Sequence, residues 1–289
     1  MATKLPSHRL GPQFHTVDAL RQDPGVDTYT HGHADPVLQS HRWRTVENSA
    51  AYLVPHLRPG LHLLDVGCGP GTITVDLARR VAPGAVIGLD VSAAPLEEAR
   101  ALAEREGIAV RFGVGDVYSL EADDDSVDVV HAHQVLQHLT DPVAALREMA
   151  RVCRPGGLIA VRDVDYATFT WFPADEGLDR WLELYYEVAR RNDAEPDAGR
   201  RLLSWAHAAG LRDLTATTSS WCYASPPERQ WWGDSWAGRT TTSSFAEQAL
   251  AYGLATPQDL EGMADAWRRW PDADDGWLAM MHGELLIRA

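Results

Sequence analysis

The sequence is poor in cysteine, in basic residues and in long apolar runs. Its 289 residues include only three cysteines, which form neither a disulfide framework nor a Cys-x-x-Cys metal pattern. No stretch is as apolar and as long as a membrane-spanning helix requires, and the N-terminal segment lacks the apolar core of a signal peptide. We therefore expect a reducing compartment, namely the cytoplasm, and no membrane span.

Positive charge is also scarce, since 26 Lys and Arg residues face 41 Asp and Glu residues and the net charge is −15. A phosphate backbone repels a chain this acidic, so we do not expect a nucleic-acid partner. The 45% hydrophobic and 23% charged residues are typical of an ordinary globular protein. The length suits one elaborated α/β domain, and the oligomeric state stays open.

Apolar runs alternate with helical patterns from Pro59 onwards, which favours βαβ units and a parallel sheet. Residues 1–57 are predicted to form a loose arm followed by a helix at 38–57. A core at 58–165 contains strands at 62–66, 85–90, 110–113, 127–133 and 158–164. Its helices are predicted at 72–81, 94–106 and 142–152, the last of them ended by Pro155-Gly156-Gly157.

Residues 166–289 have a different character, with ten of the eleven tryptophans beyond position 170. Helices are predicted at 176–192, 198–209, 226–252 and 257–270, a β-rich stretch at 211–223 and a last strand at 277–287. Aromatic residues at helical spacing form either simple core or, at about 225–275, a helical cover over a substrate. Both interpretations stay open for Trp231, Trp232, Trp236, Trp267 and Trp270.

The sharpest motif lies where the first strand turns into a helix, and it reads Leu64-Asp65-Val66-Gly67-Cys68-Gly69-Pro70-Gly71. Its glycines let the backbone pass close to a ligand, and the helix N-terminus offers free N–H donors. The dinucleotide fingerprint needs Gly-x-Gly-x-x-Gly, whereas the third glycine here comes one residue early. Asp65 is also a poor neighbour for a pyrophosphate. The motif therefore favours a cationic nucleotide-like ligand over NAD, and a turn that binds no ligand is the other interpretation.

Two further carboxylates follow predicted strands. Asp90 ends the second strand, where it can accept hydrogen bonds from both ribose hydroxyls of a nucleotide in the crevice beyond the strand ends. In Gly115-Asp116-Val117, after the third strand, Asp116 can accept a hydrogen from an adenine amino group. Taken singly, Asp90 is also a typical helix cap and Asp116 a typical turn aspartate.

Together these motifs, with Val127-Asp128-Val129-Val130, His138-Leu139 and Arg151–Gly157, resemble the class I S-adenosylmethionine-dependent methyltransferases. The similarity is greatest to the ubiquinone and menaquinone biosynthesis type, and it covers residues 29–165. It implies a doubly wound α/β fold, Rossmann-like, with a mostly parallel seven-stranded sheet and an antiparallel last strand. It also implies methyl transfer to an O, S, N or C nucleophile of a small molecule.

The resemblance implies a cofactor site that is drawn from several motifs. Asp65, Gly67 and Gly69 would flank the methionine end, with His133 and Gln134 beside it. Ribose and adenine would meet Asp90, Val91, Gly115, Asp116 and Val117. Tyr29, His33 and Arg44 match positions where related enzymes lay an arm over the cofactor. Arg44 would pair with the methionine carboxylate, or else is a solvated helix arginine.

Methyl transfer needs a base only when the acceptor must lose a proton. His138, His133 and Tyr166 are the candidates near the strand tips, and a histidine that only caps a helix end is the other interpretation of His138. The pairs His31/His33, His131/His133 and Asp163/Asp165 share strand faces, but no third ligand is identifiable, so we expect no metal. A NAD(P)-dependent oxidoreductase and a non-catalytic S-adenosylmethionine-binding protein remain the alternatives.

Overall fold

The computed structural model describes residues 27–32 and 35–289. Within this part of the chain the strands are β1 (Leu63–Val66), β2 (Val86–Asp90), β3 (Arg111–Val114), β4 (Val127–His133), β5 (Cys153–Phe172), β6 (Leu214–Tyr223) and β7 (Trp277–Arg288). The helices are α1 (Asp35–Arg42), α2 (Val46–Ser49), α3 (Thr72–Val81), α4 (Ala94–Glu106), α5 (Pro142–Val152), α6 (Glu176–Arg191), α7 (Ala198–Ala208), α8 (Pro226–Thr242), α9 (Ser244–Ala251) and α10 (Pro257–Arg269). None of these helices has the length and apolar character needed to cross a bilayer.

All seven strands form one sheet in the order β3-β2-β1-β4-β5-β7-β6. The neighbours from β3 to β5 run parallel, whereas β7 is antiparallel to both β5 and β6. This arrangement confirms the predicted doubly wound sheet with an antiparallel last strand. The carboxyl ends of β1, β2 and β4 therefore meet at one edge, where open α/β sheets bind their ligands.

The sheet is buried on both faces because successive strand residues point to opposite sides. Leu63 and Val129 belong to a core shared with α2 and α3. Leu64 and Val130, one position later, belong to a second core shared with α5 and α7. These two cores fix the strand ends from which the cavity residues project.

A third layer contains most of the tryptophans. Helices α6, α8, α9 and α10 pack against the far ends of β5, β6 and β7 and enclose an aromatic core. Trp181, Trp236 and Trp267 are among its fully buried side chains, with Trp181 and Trp236 ring centroids 4.4 Å apart. This layer stands beyond the carboxyl edge of the sheet, so it can close the cavity from above.

Two long helices predicted from the sequence are each divided in the structure. The helix expected at 38–57 becomes α1 and α2, because Thr45 and Asn48 form a reciprocal capping box that starts a new helix. The helix expected at 226–252 becomes α8 and α9, because Ser243 is extended and its hydroxyl donates to the carbonyl of Arg239 at 2.7 Å. Both predictions of a continuous helix are wrong.

The fifth strand is longer than the predicted 158–164 and starts directly after α5 ends at Val152. Pro155-Gly156-Gly157 therefore does not terminate the helix but lies within an irregular start of β5. Pairing with β7 extends β5 to Phe172. Tyr166, which is predicted just after a strand, lies within β5 in the irregular stretch between Asp165 and Thr170, where its N–H donates to the carbonyl of Pro196 at 3.1 Å.

Candidate active site

A cavity of about 1400 Å³ opens at the carboxyl edge of the sheet. All predicted site residues within the described segments line it: Tyr29, Arg44, Asp65, Gly67, Gly69, Asp90, Val91, Gly115, Asp116, Val117, His133, Gln134, His138 and Tyr166. His33 lies outside the described residues. The fold thus brings together side chains that are separated by up to about half the sequence.

The glycine-rich turn forms the floor of the cavity. Gly67 has φ +68°, and a Cβ built on it would lie 2.4 Å from Cγ2 of Val135. Gly69 also has a left-handed conformation, with φ +53°. A side chain at Gly67 would therefore be both strained and obstructed. The turn leaves its backbone uncovered toward the cavity.

Asp65 has both carboxylate oxygens engaged by protein groups. Its Oδ1 lies 2.7 Å from Nδ1 of His131, and its Oδ2 accepts the Thr74 hydroxyl at 2.5 Å. The carboxylate is only 2% exposed. It therefore ties β1, β4 and α3 together beneath the turn, and its contact with a ligand stays a prediction.

The groove beside β2 and β3 carries the other two predicted carboxylates. Asp90 accepts the backbone N–H of Gly69 at 3.0 Å and that of Ser92 at 2.9 Å, one on each oxygen. Asp90 lines the cavity, where a ligand hydroxyl can approach its carboxylate. Asp116 accepts the N–H of Tyr118 in a turn, and Val91 is 52% exposed. Val91 thus offers a flat contact for a ring.

Arg44 is a half-buried cation between the groove and the interior. It lies between α1 and α2, and its Nη2 donates to Oε1 of Gln134 at 2.7 Å. Its Nε is buried without a hydrogen-bond partner, and none of the ion pairs among the described residues includes it. Burial lowers the pKa of its guanidinium to about 10, with a smaller opposing effect from Tyr29. A half-buried charge without an acidic partner favours an anionic ligand.

Two predicted histidines lie at the end of β4 and in the turn that follows. His138 Nε2 is 2.9 Å from Nε2 of Gln137, and its Nδ1 has no partner. Both ring nitrogens of His133 also lack partners, and its ring centroid lies 5.8 Å from that of Trp221 and 6.3 Å from that of His282. Burial lowers the pKa of His138 to about 3 and that of His133 well below its usual range. Both rings are neutral near pH 7.

Tyr166, the third candidate base, is part of a buried cluster. Its ring stacks on Tyr185 with centroids 4.1 Å apart, and its hydroxyl lies 3.5 Å from Nε2 of His31. The Tyr185 hydroxyl is closer to the same nitrogen, at 3.1 Å. Burial raises the pKa of Tyr166 to about 12, so its hydroxyl keeps its proton at neutral pH.

The deep end of the cavity, here called the inner chamber, is mostly aromatic and carries one cation. It is lined by Tyr166, Trp221, Trp232, Trp236, Arg239 and Met280. From the sequence, Trp232 and Trp236 are predicted only as core or cover, and no motif singles out Trp221, Arg239 or Met280. The sole sequence signal for Arg239 was its position in the helix that carries those tryptophans.

One member of each histidine or aspartate pair considered as metal ligands contacts another protein side chain. His131 contacts Asp65, and Asp165 forms a two-point ion pair with Arg200 at 2.6 and 2.8 Å. His31 approaches Tyr185. Over the residues that the structure describes, no three His, Cys, Asp or Glu side chains cluster as a metal site requires.

Comparisons with known proteins agree with this geometry. A family described as a methyltransferase domain matches residues 57–210. An uncharacterised methyltransferase of Schizosaccharomyces pombe is 32% identical over 281 residues, which span 94% of this chain and 97% of the relative. The ubiquinone/menaquinone biosynthesis C-methyltransferase UbiE of Bdellovibrio bacteriovorus is 35% identical over 136 residues, 46% of this chain and 55% of that one.

Among solved structures, the YcgJ protein of Bacillus subtilis superimposes with a TM-score of 0.55 at 18% identity. The match covers 82% of this chain and 97% of that chain, and at such low identity it bears on the fold alone. The family match and the full-length relative carry the assignment. The chain therefore belongs to the S-adenosylmethionine-dependent methyltransferases.

Proposed function

We propose that the groove from Val91 to Arg44 holds S-adenosylmethionine and that the inner chamber holds a small-molecule methyl acceptor. The observation that carries this proposal is the continuity of one cavity, which runs from the exposed Val91 past the glycine turn to Trp236. When bound, the cofactor supplies an electrophilic methyl group on a sulfonium. The reaction then needs an acceptor atom in line with that group.

The residues present fit each part of the cofactor. The uncovered backbone at Gly67 admits close approach, and Val91 presents an apolar face for adenine. Asp90 lines the cavity at the carboxyl end of β2, where a carboxylate can accept hydrogen bonds from the ribose hydroxyls. The half-buried guanidinium of Arg44, which has no acidic partner in the described structure, matches the methionine carboxylate. Gln134, hydrogen-bonded to Arg44, fixes the direction of that guanidinium.

The chain's contribution to rate is chiefly alignment of the acceptor. Buried aromatic walls exclude water and restrict the acceptor's orientation, and effective-molarity estimates give such alignment up to roughly 7–11 kcal/mol of a barrier. The walls come from β5, β6 and α8 rather than from flexible loops. A non-catalytic binding protein would need no such chamber beside the cofactor groove.

The acceptor is proposed to be a small molecule rather than a nucleic acid, because the net charge is −15 and the chamber is enclosed and aromatic. We also infer a cytoplasmic location, since all three cysteines are free. The proposed organisation is an arm at 1–57, a cofactor core at 58–165 and a remainder at 166–289 whose residues 225–275 form the substrate cover.

Asp90 provides the direct test of the cofactor groove. Asp90→Ala is expected to weaken S-adenosylmethionine binding by about 1–3 kcal/mol, because two charge-assisted hydrogen bonds to the ribose are lost. Isothermal titration calorimetry measures the change. The control is Glu97→Ala, which removes an exposed carboxylate on α4 that does not line the cavity. An unchanged affinity in folded Asp90→Ala would remove the ribose assignment.

The cover is tested by two buried tryptophans that differ in position. Trp232 on α8 lines the inner chamber, whereas Trp270, equally buried, does not. Trp232→Leu is expected to raise the KM for the acceptor and alter the acceptor range while leaving cofactor affinity unchanged. Trp270→Leu should affect stability only. If steady-state kinetics showed the same acceptor profile for both variants, residues 225–275 would be packing and not a cover.

A further inference from the structure

Arg239 is a second cation in the cavity, and it is only 4% exposed. Its Nε donates to the carbonyl of Pro36 at 3.2 Å, and its Nη2 donates to the carbonyl of Val37 and the hydroxyl of Ser40. Its Nη1 makes no hydrogen bond with a described residue. The Arg239 side chain lines the cavity.

No carboxylate in the described structure neutralises Arg239. Its hydrogen-bond partners are two carbonyls and a hydroxyl, and its guanidinium lies 4.7 Å from the ring centroid of Trp236. The carboxylates that line the cavity occupy the strand-end turns and the arm: Asp27, Asp65, Asp90, Asp116 and Glu121. Among the described residues, the lining of the inner chamber contains none, and the formal charge of that described lining is therefore positive.

The bound cofactor would increase this excess of positive charge. Its methionine end carries one carboxylate against an ammonium and a sulfonium, and Arg44 already matches that carboxylate. The guanidinium of Arg239 would then share the cavity with the cofactor's ammonium and sulfonium and have no counter-charge. These three positive charges favour an acceptor that brings an anion with it.

We propose, on the basis of the proposed function, that the acceptor is an aromatic acid whose carboxylate binds Nη1 of Arg239. Trp232, Trp236 and Tyr166 supply the aromatic walls, and ring contacts with such walls favour a planar aromatic skeleton. The carboxylate pairs with the guanidinium on α8. The ring then extends toward the glycine turn, which orients the methyl-accepting atom. Arg239 binds and orients the acceptor and takes no proton.

The same residue also holds α1 against α8 through the carbonyls of Pro36 and Val37. That structural contact uses Nε and Nη2 and leaves Nη1 for the ligand. A variant at Arg239 therefore needs a control for packing. Arg229 supplies it, because it lies on the same helix, is equally buried and binds only backbone carbonyls, yet does not line the cavity.

The test is calorimetry on the full chain saturated with S-adenosylhomocysteine, using 2-naphthoate and benzoate against 2-naphthamide and benzamide. We expect each carboxylate to bind at least about tenfold more tightly than its amide, because a charge-assisted hydrogen bond replaces a neutral one. Arg239→Gln should abolish this preference, and Arg229→Gln should retain it. Arg239→Lys keeps the charge and should retain part of it even if Arg239→Gln fails to fold.

Equal binding of acids and amides by the wild type would overturn the proposal. So would failure of both acids to bind, or a preference that survives in Arg239→Gln. S-adenosylhomocysteine affinity, measured first, separates this outcome from failure of the proposed function. If that affinity is intact and the preference is absent, only the assignment of Arg239 is wrong. If the cofactor product does not bind, the groove itself is misassigned.

Discussion

His138→Ala is expected to lower the turnover number by about 10²–10⁴-fold while leaving S-adenosylmethionine affinity nearly unchanged, if the acceptor must lose a proton. His138 follows β4 at the boundary between the cofactor groove and the inner chamber, and it lines the cavity. It is 9% exposed, and Tyr29 packs edge-on against its ring at 4.7 Å. A base in this position would contact the acceptor rather than the cofactor's adenine.

The protonation state of His138 alters the pH dependence that an ordinary histidine would produce. Burial, with a smaller effect from Arg44, lowers its pKa to about 3, so the ring is neutral and able to accept a proton throughout the range pH 5–8. Protonation would remove the base only as the pH falls through about 3. The wild-type rate should therefore show no acidic limb near pH 6.5 that arises from this residue.

Gln137 determines which nitrogen of His138 can act. Its side-chain amide lies 2.9 Å from Nε2, and its Oε1 has no partner. In the structure the amide nitrogen faces the ring and donates to Nε2, which places the ring hydrogen on Nδ1; with the amide turned over, its oxygen accepts a hydrogen from Nε2 and leaves the lone pair on Nδ1. Gln137 is thus a positioning residue, whose main-chain N–H is held in turn by Asp163 at 3.1 Å.

The measurement compares kcat, KM and cofactor Kd for His138→Ala, His133→Ala and the exposed His207→Ala. His207→Ala should behave as wild type. Near wild-type turnover in His138→Ala would reduce that residue to packing, and His133 and Tyr166 would become the candidates. Loss of cofactor affinity in the same variant would instead place His138 in the cofactor pocket.

Most residues of the proposed cofactor groove could be predicted from local sequence, because they follow one another along three strand–turn units. Gly67 and Gly69 need left-handed backbone, and Asp90 is the last residue of its strand, so each position could be predicted from a few neighbours. The family resemblance implied the mostly parallel seven-stranded sheet with an antiparallel last strand. Helix ends at Thr45 and Ser243 were missed because single capping side chains, and not periodicity, decide them.

The residues that line the inner chamber could not be predicted from the sequence in the same way. Arg239 meets Pro36 across 203 positions, and Trp221 donates to the carbonyl of Asn48 across 173. Such contacts depend on how α8 and β6 pack over the sheet, and no local pattern encodes them. The Trp-rich segment predicts an aromatic layer. Only the fold shows which two of its rings face the cavity.

The second large effect expected is a loss of stability in mild acid. Four histidines are buried, and burial is the largest of the effects that lower their pKa values: His31, His133, His138 and His282. Unfolded histidines take up protons near pH 6.5, whereas these folded ones do not until the pH is far lower. Between these values the unfolded state binds more protons, so the free energy of unfolding decreases as the pH falls.

Asp163 acts in the opposite direction. Burial raises its pKa to about 7, so the folded state keeps a proton that the unfolded carboxyl loses above about pH 4. The stability that Asp163 contributes grows as the pH falls from 7, and it offsets the loss from about one histidine. At pH 5 a histidine that stays neutral in the folded state contributes a loss of at most about 2 kcal/mol, since 1.5 pH units below 6.5 correspond to that energy. The upper limit for the four histidines, offset by Asp163, is about 6 kcal/mol between pH 7.5 and 5.

A loss of that size is comparable with the whole stability of many domains, about 5–15 kcal/mol. Urea unfolding at pH 7.5, 6.5, 5.5 and 5.0 should therefore show a steep fall in the midpoint, with unfolding near pH 5 if the starting stability is at the low end. His282→Gln should reduce the slope by about 1.4 kcal/mol per pH unit below pH 6, because one differential proton is removed. His207→Ala, at an exposed site, should leave the slope as it is. A midpoint constant from pH 7.5 to 5 would mean that these four rings accept protons in the folded state, and the neutral His138 assumed for catalysis would fail with it.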